Sequence, residues 1–262
     1  MDFRQTRFLS IVSVFMMAAA AFFLVSENNR QASKIKFGFS GFKETIPPDI
    51  ILSEEKTIAL PLVVPEYIQK YRASCEVAAT RAALLYFGVV FSEEDMIEEI
   101  GWEILPRYYD KNGDLVWGNP QSKYVGHYDP ERIYIDGYGV YNQPIYGFLS
   151  EHGFGKSISK TNWSIDEIIS YVRQGYPVIA WTSGDFKKRV PGVMISPDGA
   201  KNPWIFSEHA VVVRGFDEKR VYLMDPAPRA GYRQVTWKEF EDGFGSLNNM
   251  AIAIMPGEMA EL

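Results

Sequence analysis

Cys75 is the only cysteine in 262 residues. One thiol excludes an intramolecular disulfide framework, a multi-cysteine zinc site and an iron–sulfur cluster. Three fates remain for it: buried filler, an intermolecular link, or a reactive group. Histidine is scarce too, at three, and His127 and His152 have no partner at metal-ligand spacing. Asp110-Lys111-Asn112-Gly113-Asp114 lacks the glycine position and the distal bidentate acid of a calcium loop, and reads as a turn. Nothing calls for a metal or any other cofactor. Lysine and arginine number 27 against 33 acids, for a net charge of −6. That balance, without a basic run, argues against the positive face that nucleic acid requires. No internal repeat, low-complexity tract, ATPase motif or multi-span region is present. What remains is a chain 47% hydrophobic and 15% aromatic, a globular composition with room for one large domain or two small ones.

One apolar run stands out, from Phe8 to Val25, broken only by Ser10 and Ser13 and preceded by Arg4 and Arg7. It is at the short end of the roughly 17–25 residues that cross a bilayer and longer than the roughly 7–15 of a usual signal-peptide core. Two readings stay open: an uncleaved signal anchor, or a signal peptide cut after Ala21. No cysteine follows to carry a lipid. The basic flank puts the N-terminus inside and the rest outside. The expected organisation is a signal anchor or signal peptide over 1–25, a linker over 26–59 and a folded domain over 60–262. The domain is expected outside the cytoplasm, membrane-anchored or secreted.

Along the domain, Ser74 offers an N-cap to an Ala- and Leu-rich helix from Cys75 to Phe87. A second helix opens at Ser92, with Glu93, Glu94 and Asp95 in its first turn. Residues 103–142 are crowded with Tyr, Trp, Gly and Pro without sustained periodicity, which suggests a long loop of functional or packing importance. Helices follow at 143–151 and, from the Ser164 capping box, to Gln174. Pro177–Trp181 has the character of a buried strand. The stretch 183–206 is rich in Gly and Pro and looks like a surface loop. His209–Phe216 and Arg220–Met224 form a hairpin about Asp217-Glu218-Lys219. A short helix over 236–240 and a strand over 250–255 complete the reading. Helices first and strands later indicate α+β, with helices packed on an antiparallel sheet.

Cys75 at a helix start lies where unpaired N–H groups favour a thiolate and lower its pKa. The competing reading is a small buried hydrophobe on an Ala-rich helix. Gln69, six residues earlier, has a side-chain N–H₂ that can join the Cys75 N–H in an oxyanion hole. His209 begins one strand of the hairpin and Asp225 ends the other, so the carboxylate can reach and orient the imidazole. Asp225 could equally be a turn residue before Pro226.

The run Gln69-Lys70-Tyr71-Arg72-Ala73-Ser74-Cys75-Glu76-Val77-Ala78 resembles the active-site region of papain-like cysteine peptidases, and the distance to His209 fits the family's roughly 130–150 residues. With Glu208-His209-Ala210-Val211-Val212-Val213-Arg214-Gly215-Phe216-Asp217 and Asp225-Pro226, the chain resembles bacterial peptidases related to the bacteriocin-processing, double-glycine-leader peptidases. The resemblance covers about residues 60–256. It implies a papain-like fold and hydrolysis of peptide bonds, with Cys75 as nucleophile, His209 as base, Asp225 as orienter and Gln69 as oxyanion donor. One departure is Glu76, where many relatives have glycine. Leader specificity is not implied, because no transporter segment is present. Trp117, Gly118, Tyr138, Trp181 and Trp204 are candidates to line a groove for a peptide or protein substrate. An acyltransferase or transpeptidase with the same triad, and an inactive peptide-binding protein on the same scaffold, are the alternatives.

Overall fold

The computed structural model of the protein describes residues 61–129 and 134–257. The segments expected at 1–25 and 26–59 lie outside these residues. In chain order the elements are α1 (Cys75–Tyr86), α2 (Glu93–Ile100), β1 (Trp102–Glu103), β2 (Tyr108–Tyr109), β3 (Leu115–Val116), β4 (Tyr124–Asp129) and β5 (Tyr134–Gly139). They continue with α3 (Asn142–Glu151), β6 (Ile158–Lys160), α4 (Ile165–Arg173), β7 (Val178–Ser183), β8 (Gly192–Ile195) and β9 (Lys201–Trp204). The last are β10 (Glu208–Phe216), β11 (Arg220–Asp225), β12 (Gly231–Thr236), α5 (Trp237–Gly245) and β13 (Ala251–Ala253).

Period-two alternation divides the interior into two layers around a six-stranded sheet of order β12-β11-β10-β7-β13-β6, antiparallel at every pairing. Ile179, Trp181, Ala210, Val212 and Ile252 face α1 and α3. Val178, Ala180, Val211, Val213, Ala251 and Ala253 face α4 and α5, against Ile168, Val172, Phe240 and Phe244. The central strands β7, β10 and β13 bury both faces, their side chains alternating across the pleated sheet. The small residues of α1, Ala79, Ala82 and Ala83, are fully buried and let the helix lie close against the sheet. The architecture is the expected α+β, helices on an antiparallel sheet, with Ser164 and Thr236 each forming a capping box at the start of α4 and α5.

Three expectations are corrected. Residues 103–142 are not a structureless loop, and 183–206 is not simply surface loop. The first holds β1–β5 and the second β8 and β9, forming a three-stranded sheet, β1-β4-β5, and a four-stranded sheet, β2-β3-β8-β9. β1, β2 and β3 have two residues each, too few to show a period, and β3 finds its partner far along the chain, Leu115 with Met194 and Val116 with Ile195. β12 was hidden for another reason: as an edge strand, its only buried large apolar side chain is Val235. Finally, Ser74 does not cap α1 through its side chain. Its Oγ accepts the Tyr71 N–H at 3.3 Å and donates to the Tyr71 carbonyl at 3.1 Å, bracing the loop ahead of the helix.

Candidate active site

The loop before α1 is held from both sides. Behind it, the acidic first turn of α2 does more than complement the helix dipole. Glu93 Oε1 accepts the Lys70 N–H at 2.7 Å, and Glu94 takes the Lys70 ammonium and, at 2.6 Å, the Tyr71 hydroxyl. In front, an extended strap over 62–69 crosses the end of the large sheet. The Arg214 guanidinium donates to the Leu62 carbonyl at 3.3 Å, the Tyr232 hydroxyl to the Val64 carbonyl at 2.7 Å, and the Gln69 N–H to the Pro226 carbonyl at 2.8 Å. The last bond ties the Gln69 loop directly to the turn after Asp225. As the first residue of α1, Cys75 has no carbonyl one turn back to take its N–H.

β10 and β11 pair with Val212 opposite Met224, and the next residues toward the cleft are Val211 and Asp225. From there the His209 ring reaches across, with Nε2 2.7 Å from Asp225 Oδ1. The same oxygen accepts the Ala227 N–H at 3.0 Å, and Oδ2 takes Arg233 Nη1 at 3.1 Å. Burial alone would raise the Asp225 pKa. The hydrogen bond and charge of His209, then Ala227 and Arg233, hold it below the ordinary carboxylate range. Both residues are buried.

The sulfur has different company. The Ala210 N–H is directed at it, and Cys75 Sγ donates to Glu76 Oε2 at 3.4 Å. The lowered thiol pKa expected from the helix start is corrected by this environment. Burial first, then the charges of Glu76 and Glu208, push the thiol well above its ordinary value, and the Ala210 N–H offsets only part of this. Cys75, Glu76 and Glu208 are also, among the described residues, the one His/Cys/Asp/Glu group with converging donor atoms, all within 4.8 Å. His152 lies elsewhere, 2.7 Å from Glu99, and Asp110 accepts the Asn112 and Asp114 N–H groups in a β2–β3 turn.

A cleft of about 580 Å³ opens over Cys75 and His209. Trp117, Tyr138 and Trp204 are on its wall, and so is Gln69. The Gln69 Nε2 hydrogens go to the Tyr71 and Arg72 carbonyls at 2.7 and 2.9 Å, so the amide is turned into its own loop. Two of the expected groove residues are not on the wall. Trp181 is fully buried, its Nε1 donating to the Val140 carbonyl at 3.1 Å. Gly118 is buried behind, where a Cβ would meet Glu103 at 2.4 Å and Val125 at 2.9 Å. Trp181 could have been excluded, because every residue of β7 is apolar or small and buried.

Sequence reasoning missed Arg107, Tyr109 and Phe206 on the cleft wall, and Arg233 behind Asp225. Phe206 is 94% exposed, beside the cleft in a segment whose Pro and Gly content concealed its strands. Arg233 sits on the unrecognised β12. Glu208, also on the cleft wall, did have a signal: it immediately precedes His209, so a β10 start that places one places the other.

A family model described as Peptidase_C39 like family matches residues 61–252. Uncharacterized protein YvpB of Bacillus subtilis (strain 168) is 28% identical over 209 residues, which are 77% of this chain and 78% of that protein. A crystal structure from Bacillus anthracis, of a protein described as a C39-like peptidase, superimposes with a TM-score of 0.63 at 24% identity, over 76% of this chain and 97% of the other. The peptidase domain of Streptococcus ComA, described as a bi-functional ABC transporter of a quorum-sensing pathway, aligns at 13% identity and TM-score 0.45, over 74% of this chain and 98% of its own.

Proposed function

The chain belongs to the C39-like peptidase family, and on that premise we propose that it hydrolyses peptide bonds through Cys75, His209 and Asp225. The observation that carries the proposal is the 2.7 Å contact of His209 Nε2 with Asp225 Oδ1 at the mouth of the cleft that holds Cys75. With Nε2 fixed on the carboxylate, Nδ1 is the nitrogen left for the thiol proton. His209 takes that proton, Cys75 attacks the scissile carbonyl, and the imidazolium returns the proton to the leaving amine. Water then releases the acyl-enzyme. The oxyanion is held by the Cys75 N–H and by Gln69, which must turn one N–H away from a loop carbonyl to do so. The aromatic wall of Trp117, Tyr138 and Trp204 suits a peptide or protein substrate. Acyl transfer to an amine uses the same residues and differs only in the acceptor. A peptide-binding protein without turnover would use the same wall.

The apolar run before residue 26 supports a domain starting near residue 60 that works outside the cytoplasm, anchored or released. An N-terminal mass on native material distinguishes the two.

Treatment of the full chain with a thiol-reactive peptide-like inhibitor, followed by intact mass, tests the chemistry. Single labelling at Cys75, slowed sharply by His209→Ala, is expected. Labelling no faster than a free model thiol and unmoved by His209→Ala would sink both enzymatic readings and leave the binding one. Added amine acceptors then separate transfer from hydrolysis.

A further inference from the structure

Two carboxyl groups lie against the nucleophile, and the hydrolytic scheme uses neither. Glu76 is fully buried. Its Oε1 accepts the Val140 N–H at 2.8 Å, and its Oε2 accepts from the Tyr124 hydroxyl and the Cys75 thiol, each at 3.4 Å. Glu208 reaches the same place from the start of β10, and its Oε1 is shielded from solvent without a hydrogen-bond partner. Carboxylate oxygens of both residues and the sulfur fit within 4.8 Å of one another. Gly139 makes the space: a Cβ there would stand 2.0 Å from Glu76 Oε1 and 3.4 Å from Glu208 Oε2.

Among the described residues, no lysine or arginine forms an ion pair with either carboxyl. The titratable groups that face the pair are Cys75 on α1, Tyr124 on β4, Tyr138 on β5 and Tyr141 at the start of α3. His209, the neighbour of Glu208, is turned to Asp225. Two carboxylates this close, out of water and without a lysine or arginine, cannot both ionise near neutral pH. Burial raises both, and for Glu208 the charge of Glu76 raises it further.

We propose that Glu76 and Glu208 are a proton-sharing carboxyl pair that holds the Cys75 thiol in a neutral resting form, Glu76 accepting the S–H and the pair's remaining charge opposing the thiolate. The proposal rests on Cys75 being the nucleophile and adds a regulator to it. The pair touches no substrate and acts through the sulfur, so both are positioning residues. At rest the proton stays on sulfur, facing Glu76. In attack it passes to His209, and the Ala210 N–H remains as the donor to the thiolate. The departure at residue 76 thus supplies the resting partner of the thiol.

The test is the pH dependence of Cys75 alkylation by iodoacetamide, read by intact mass on the full chain, for the native protein, Glu76→Gln and Glu208→Gln. Glutamine keeps an acceptor for Val140 and offers an N–H to sulfur. The alkylation midpoint is expected to fall by about one pH unit or more in each variant, a tenfold gain in thiolate below the midpoint. The gain in rate is smaller, about threefold, because a less basic thiolate is a poorer nucleophile. Damage to packing alone would not lower the midpoint. An unchanged or raised midpoint in both variants overturns the proposal. Glu208→Gln leaves every Glu76 hydrogen bond in place, so it serves if Glu76→Gln does not fold. Infrared difference spectra give a second reading: a buried protonated carboxyl band at pH 7 in the native protein, lost in Glu208→Gln, is expected, and its absence from the native protein overturns the shared proton. A shifted midpoint in a protein that cleaves no peptide would retain the pair and reject hydrolysis.

Discussion

Asp225 carries a charge in a fully buried position, and each of its oxygens has a donor. Oδ1 serves His209 and Ala227, and Oδ2 serves Arg233. A buried carboxylate is tolerable only with such partners. The set also engages Nε2 of His209, which leaves Nδ1 for the role proposed above. Asp225→Asn keeps the shape but can turn its N–H₂ toward Nε2 and impose the wrong tautomer. We expect kcat/KM against a cleaved peptide to fall by about 10²-fold or more, with little change in KM; steady-state kinetics on the purified variant check this. Gln69 is a different kind of residue. Its N–H groups are engaged with the Tyr71 and Arg72 carbonyls, so Gln69→Ala removes a loop brace as well as the proposed oxyanion donor. The expected loss in kcat is about 10²-fold, together with a lower melting temperature, measured by activity and thermal unfolding on one preparation.

At the scale of elements, the α2 first turn is where helix chemistry and site construction coincide. Burial would raise the Glu94 pKa, but hydrogen bonds from Lys70, Tyr71 and the backbone bring it to about 2 from an ordinary 4.5. A depressed carboxylate stabilises the fold fully above its unfolded value, and the contribution fades as pH falls from about 4.5 toward 2. Glu94→Gln is therefore expected to lose stability at pH 7 and to converge on the native protein in acid. Lys70 is partly exposed and screened, so the difference at pH 7 is about 1 kcal/mol; urea unfolding at a series of pH values measures it. The same turn shows what local pattern can reveal. Ser92 and the three acids mark the helix start plainly, yet nothing in them says that Lys70 and Tyr71 return to meet them. His209 and Asp225 were legible together because a three-residue turn joins their strands. β3 and β8 were not, because Leu115 finds Met194 across a long stretch of chain. The carboxyl pair was half legible: Glu76 was noticed as unusual, but its meeting with Glu208 needs α1 and β10 side by side.

Over the whole molecule, the strap at 62–69 joins elements far apart in the chain. It links Arg214 on β10, Tyr232 on β12 and Pro226 to the loop before α1. Arg214 stacks on the Tyr232 ring at 4.0 Å, so these contacts form one network. Tyr232→Phe removes only the hydroxyl bond to Val64 and is expected to cost about 1 kcal/mol. Arg214→Met costs more, and the double variant is expected to fall short of the sum, since the two side chains are in direct contact; denaturant unfolding of the four proteins tests this. The strap also defines a load path. Tension applied from the N-terminal side of residue 61 arrives at Leu62 and is borne in turn by the contacts to Arg214, Tyr232 and Pro226. The next segment to feel it is the one that carries Gln69 and Cys75. Mechanically, the handle of this domain is fastened to the jaw of its cleft.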